Sequence, residues 1–148
     1  MNRTIAICSL LAWSAIWSAV VICAPWIFSD KNKFFEGFVN EQFLSFMGVI
    51  VTITLASAAN LFIEMNKLED KVDKPVFRKA KDGVKDSSYW LIALLIFSIV
   101  VVIVKPLVNT GERSQAIVNG AAITIIIMSV LILIDLTQSA FTLDPRQD

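Results

Sequence analysis

The sequence predicts an all-α integral membrane protein with four transmembrane helices, the second of them extended into the cytoplasm. Three observations carry that prediction. The 148 residues are 56% hydrophobic, with a mean hydropathy of +0.69. The apolar residues fall in four long runs, residues 4–28, 43–63, 89–104 and 116–136. Crossing the hydrocarbon core takes about 20 predominantly apolar residues, and an isolated strand there would leave its backbone groups unpaired, so each run must be helical. The whole chain, 1–148, reads as a single four-helix transmembrane domain with one larger connection, 64–88.

The first run follows Arg3 and is longer than the apolar core of a cleaved signal, about 7–15 residues, with no small-x-small site to close it. Ile precedes both Cys8 and Cys23, which argues against a lipoprotein site. The run is therefore a retained span. Its two cysteines, on one helix, are about 22 Å apart at 1.5 Å per residue and cannot bridge within a chain. Ser14 and Ser18 share one face, as do Trp13 and Trp17. Tryptophans this deep are expected to pack against a stripe of small residues on a neighbour.

The first connection, SDKNKFFEGFVNEQ, is too apolar for a simple polar turn. Phe34, Phe35, Phe38 and Val39 predict a turn whose aromatics rest on the bilayer, with a short interfacial helix as the alternative. The second run continues past the membrane as Leu61, Met65, Leu68 and Val72, spaced by three and four among charged residues. That spacing predicts an amphipathic helix with a stripe suited to another helix. Pro75 should end it. Gly83 reads as a break before the third span, with Asp86 and Ser87 as candidate caps. The connection KPLVNTGERS is punctuated by Pro106 and Gly111, and Ser114 or Thr110 could cap the fourth span. The tail FTLDPRQD is polar and expected to fray.

Basic residues set the orientation. Arg3, Arg146 and the seven of the middle connection (Lys67, Lys71, Lys74, Arg78, Lys79, Lys81, Lys85) make nine on one side, against Lys31, Lys33, Lys105 and Arg113 on the other. The positive-inside rule then places both termini and the middle connection in the cytoplasm. Trp26, Tyr89 and Trp90 fit interfacial aromatic belts. The formal net charge is zero, which gives no push toward nucleic acid.

Small and polar residues inside the second run supply the first candidate site. On a helical wheel Ser45, Gly48, Thr52, Ala56 and Ala59 fall in one narrow sector, with Asn60 at its edge. Lipid tails are as apolar as Leu, so helices associate by close backbone approach and hydrogen bonds, which such a stripe permits. It is expected to pack within the bundle or between subunits, or to line a pore with Thr52 and Asn60. Glu64 and Asp135, at the ends of the second and fourth spans, are candidates for gating or for interfacial structural roles, with Lys67 or Lys71 as a partner for Asp135. The cluster Lys67, Lys71, Lys74, Arg78, Lys79 and Lys81 suits anionic headgroups or an acidic partner. Gly48, Thr52, Ile53 and Ser57 recur at one constant offset as Gly120, Thr124, Ile125 and Ser129, an internal echo that a duplicated hairpin would produce.

The chain has no histidine, no metal-ligand spacing, no phosphate-cradling glycine loop and no nucleophile with a base. An enzyme is not expected, nor is a cofactor. A small four-span chain carrying FLSFMGVIVTITLASAANLFIEMNKLEDK and little soluble mass resembles the membrane subunits of bacterial anti-phage defence operons, in particular that of the Kiwa system. The resemblance is one of layout and carries no motif residue. It implies a homo-oligomer in the inner membrane, a tetramer being one arrangement, that works with a soluble cytoplasmic partner. The function expected is thus a non-enzymatic membrane subunit that senses or anchors. The alternatives are a small homo-oligomeric ion channel and a colicin-immunity-like protein.

Overall fold

The computed structural model describes residues 3–72, 77–108 and 111–142, and all regular structure among them is helical. The helices are α1 (Arg3–Cys23), α2 (Lys33–Phe38), α3 (Glu41–Val72), α4 (Arg78–Val104) and α5 (Glu112–Thr142), with short 3-10 turns at Pro25–Ile27 and Lys105–Val108. Three of them, α3, α4 and α5, are long and apolar enough to cross a membrane. The described apolar stretch of α1, Ile7–Cys23, is shorter.

Several boundaries differ from the sequence expectation. The first helix ends at Cys23 rather than running to residue 28, because Pro25 lacks a backbone donor and opens a 3-10 turn. The phenylalanine-rich connection forms a true helix, α2, started by Asn32, whose side chain accepts from the Phe34 amide at 3.1 Å. Neither Gly83 nor Asp86 and Ser87 interrupts the chain: α4 begins at Arg78 and runs through all three. A lone glycine costs a helix about 1 kcal/mol, too little to break one held by a neighbour. Ser114 lies inside the first turn of α5, donating to the Gly111 carbonyl at 2.8 Å. Pro75, expected to end the second helix, Thr110, a candidate cap, and the tail from residue 143 lie outside the described residues.

The core is a bundle of three helices rather than four. α3 packs on α4, and both pack on α5, whereas α1 packs chiefly on α5 and contributes no buried side chain among those described. The buried face of α3 is Phe43, Met47, Val51, Thr54, Ala58 and Met65, with Leu61 and Leu68 half-buried. From Met47 to Leu68 these positions alternate steps of four and three, so the stripe read near the helix end runs through the apolar stretch as well. α4 answers with Val84, Ser88, Leu91, Leu95 and Ser98 at the same alternation, and α5 with Ala122, Ile125, Ser129, Ile132 and Leu136. Thr54, Ser98 and Ser129 are fully buried, and each hydroxyl donates to a carbonyl of its own preceding turn, at 2.6, 2.7 and 2.9 Å. Small buried residues let the three backbones close up, and the internal bonds satisfy these three hydroxyls.

α1 is held by its tryptophans. Trp13 Nε1 donates to Thr124 Oγ1 at 2.8 Å, and Trp17 lies directly on Gly120. Its indole occupies the volume that a Cβ at position 120 would need. The expected seat for the Trp pair is therefore real, and it is on α5. Because an indole ring cannot slide aside as a flexible chain end would, Gly120→Ala should lower stability by about 1–3 kcal/mol. Unfolding midpoints in mild detergent measure this, and Gly83→Ala, a helical site where nothing lies within 4 Å, serves as the clash-free control.

Candidate functional site

The α3 stripe does not pack inside the protomer. Ser45, Thr52, Ala56 and Ala59 are exposed and Gly48 is half-exposed, on the face turned away from the core. The within-bundle form of the expectation is thereby corrected. Small residues occupy both faces of α3, and so do large ones: Phe43, Met47 and Met65 are buried, whereas Phe46, Ile53 and Phe62 are exposed. Thr54 and Ala58, not Thr52 and Ala56, are the small residues that meet α4 and α5 within the core.

The internal echo is reproduced in local geometry. Thr52 Oγ1 donates to the Gly48 carbonyl at 2.7 Å, and Thr124 Oγ1 to the Gly120 carbonyl at 2.8 Å. Ser57 and Ser129 bond to Ile53 and Ile125, each at 2.9 Å. The surroundings are opposite. On α5 the Gly–Thr edge is filled by Trp17 and Trp13; on α3 it is open.

Asn60 and Glu64 are exposed on α3, and Glu64 pairs with Lys67 at 2.7 Å. Asp135 is half-buried on α5, where its carbonyl accepts from Ser139 Oγ at 2.9 Å. Lys67, a suggested partner of Asp135, has its ammonium at Glu64 instead.

Beyond Ile63, α3 continues and pairs with the start of α4 as a helical hairpin. Glu69 lies six residues past Ile63, about 9 Å further along the helix. One Glu69 oxygen accepts from the Phe77 amide at 2.7 Å and the other from Lys81. Only 15% of the Glu69 side chain and 17% of that of Lys81 are exposed, and Lys81 also sits 5.7 Å above the Phe62 ring. Lys81 is therefore an internal tie, a correction to its place among the free partner-binding cations. Lys67, Lys71, Arg78 and Lys79 are exposed; Lys74 lies outside the described residues.

A polar cluster not expected from the sequence lies at the opposite end. Lys105 Nζ lies 3.0 Å from Asp30 Oδ1 and donates to the Phe35 carbonyl at 2.9 Å. Asn119, fully buried, donates to the Phe28 carbonyl at 2.8 Å and to Asp30 Oδ1 at 2.9 Å. Gln115 Oε1 accepts from the Asp30 amide at 3.1 Å. The side chains of Lys105 and Asp30 are only 12% and 20% exposed, so the pair is desolvated and held by several bonds at once. A signal was present: Asn119 is a lone amide in the apolar run IVNGAAITIII, and such a group needs partners. Among the described residues no group of three His, Cys, Asp or Glu could hold a metal ion.

Two predictions follow from these ties. Lys105→Met should cost about 1–3 kcal/mol, because it leaves the desolvated Asp30 carboxylate without its counter-charge, and combining it with Asp30→Asn should cost less than the sum, by detergent unfolding. At the other end, the Lys81 hydrogen bond first, and then the Phe77 amide, hold Glu69 below its ordinary 4.5. A depressed carboxylate contributes stability that is present above the ordinary value and lost as pH falls through the folded-state value. Hydrogen exchange of the hairpin should therefore quicken, beyond the intrinsic pH effect, on acidification below the ordinary carboxylate range. Glu69→Gln should abolish that acid-dependent step.

Comparison with protein-family models, with curated proteins and with solved structures returned no match to this chain.

Proposed function

We propose that this chain is a non-enzymatic, oligomeric subunit of a bacterial inner membrane, with four spans and both termini cytoplasmic, that engages a soluble partner through its α3–α4 hairpin. One observation carries the oligomeric part. α3 bears an open copy of the Gly–Thr edge that α5 uses to seat the Trp13–Trp17 pair. In lipid, an edge of this kind gains from close approach of a second helix. The exposed stripe from Ser45 to Ala59 extends that edge over several turns. A second copy of the chain is the occupant assigned to it.

The partner-binding part rests on the hairpin. It is stiffened by the Glu69–Lys81–Phe77 tie and by buried Met65 and Val84, and it presents Lys71, Arg78 and Lys79 outward. A rigid, charged projection suits recognition better than chemistry. The layout resemblance to anti-phage defence subunits is the sole support for infection as the stimulus and for a defence complex as the setting.

A mild-detergent pull-down of the tagged chain from its host, read by mass spectrometry, tests the partner. One soluble protein at a fixed ratio supports the reading; recovery of the chain alone rejects the partner. For the oligomer, Gly48→Leu should reduce particle size to that of the protomer without loss of helicity, since a Cβ at position 48 meets nothing within 4 Å. An unchanged size would remove α3 from the interface.

A further inference from the structure

We infer that the end of the bundle opposite the α3–α4 hairpin carries an apolar collar that seats in the acyl–headgroup boundary of a phospholipid bilayer. The inference rests on the membrane reading and is independent of the oligomer and partner proposals.

The collar is built from three short segments, each outside the long helices. The turn Pro25–Ile27 carries Trp26 and Ile27, 55% and 45% exposed; α2 carries Phe34, 58% exposed; the turn Lys105–Val108 carries Leu107, 75% exposed. Connections facing water would be expected to present polar side chains at such positions. These segments also carry polar neighbours, since Lys31, Lys33 and Glu36 are exposed and Lys31 pairs with Glu112. The mixture of aromatic, aliphatic and charged groups is that of a membrane interface.

Distribution round the perimeter identifies the occupant. The first turn packs on α1 and α5, α2 packs on α3, and the second turn packs on α4 and α5. Every long helix thus has an apolar segment at this end. A protein partner or a second copy would cover one sector, whereas lipid surrounds the whole rim. The collar is also continuous with the apolar outer surface of the bundle. Phe34 stacks on Phe38 at 5.1 Å, and Phe38 meets Phe46, which is 42% exposed on α3, at 6.1 Å. The hairpin end differs, exposing Asp70, Lys71, Arg78, Lys79 and Asp82. The Asp30–Lys105–Asn119 cluster, tied to the same turns through Phe28 and Phe35, is carried to that boundary.

Nitroxide labelling of the full chain in phosphatidylcholine–phosphatidylglycerol vesicles tests this, in a Cys8→Ser/Cys23→Ser background. Labels at Trp26→Cys, Phe34→Cys and Leu107→Cys should all collide with dissolved oxygen and lose access to a water-soluble nickel chelate severalfold, relative to Lys33→Cys and Lys79→Cys. Ile27→Cys replaces Trp26→Cys if that variant does not insert. Nickel access equal to the controls at any of the three sectors would overturn the collar. So would shielding from both reagents, which would mean that protein covers that sector. Both readouts hold for a single protomer, so loss of the oligomer proposal would leave the outcome interpretable.

Discussion

Lipid gives a helix neither water to hydrogen-bond nor any gain for hiding a leucine, and this constraint organises the molecule. Within the apolar stretches the three core helices meet through close-fitting side chains, with small residues wherever backbones approach. Thr54, Ala58, Ser98, Ala122 and Ser129 are all buried, while many of the Ile, Val and Phe side chains that would fill a soluble core point outward. The hydroxyls of Thr54, Ser98 and Ser129 are satisfied within their own helices.

Specificity then comes from a few polar ties placed where they cannot be exchanged for lipid contacts. Asp30, Lys105 and Asn119 lock the connections to α4 and α5 at one end. Glu69, Lys81 and the Phe77 amide close the hairpin at the other. Between them Trp13 reaches Thr124 and fixes α1 on α5. Each tie joins segments far apart in sequence or across a turn, so together they set register and neighbours that apolar packing alone would leave loosely chosen.

The paired Gly–Thr edges show how one local motif acquires two fates. Gly48–Thr52 and Gly120–Thr124 have matching internal bonds. α1 reaches only the second, because the Trp pair is carried by a helix that packs on α5. The first stays on the outer face, available to whatever approaches α3 in the membrane plane.

The all-helical class, the three helices long and apolar enough to cross a membrane and the continuation of α3 beyond Ile63 were legible in the sequence, since each depends on periodicity and hydropathy that a chain carries in itself. The Trp13–Trp17 pair likewise announced a small-residue seat. Which face of α3 is buried was not legible. Ser45–Ala59 and Thr54–Ala58 are both small, large residues flank each set, and their assignment depends on which face α4 and α5 meet. The separation of α1 from a three-helix core, the engagement of Lys81 with Glu69, and the meeting of Asp30 with Lys105 and Asn119 were decided only by tertiary structure. These are contacts between residues distant in sequence, and no local pattern encodes which charge will find which partner.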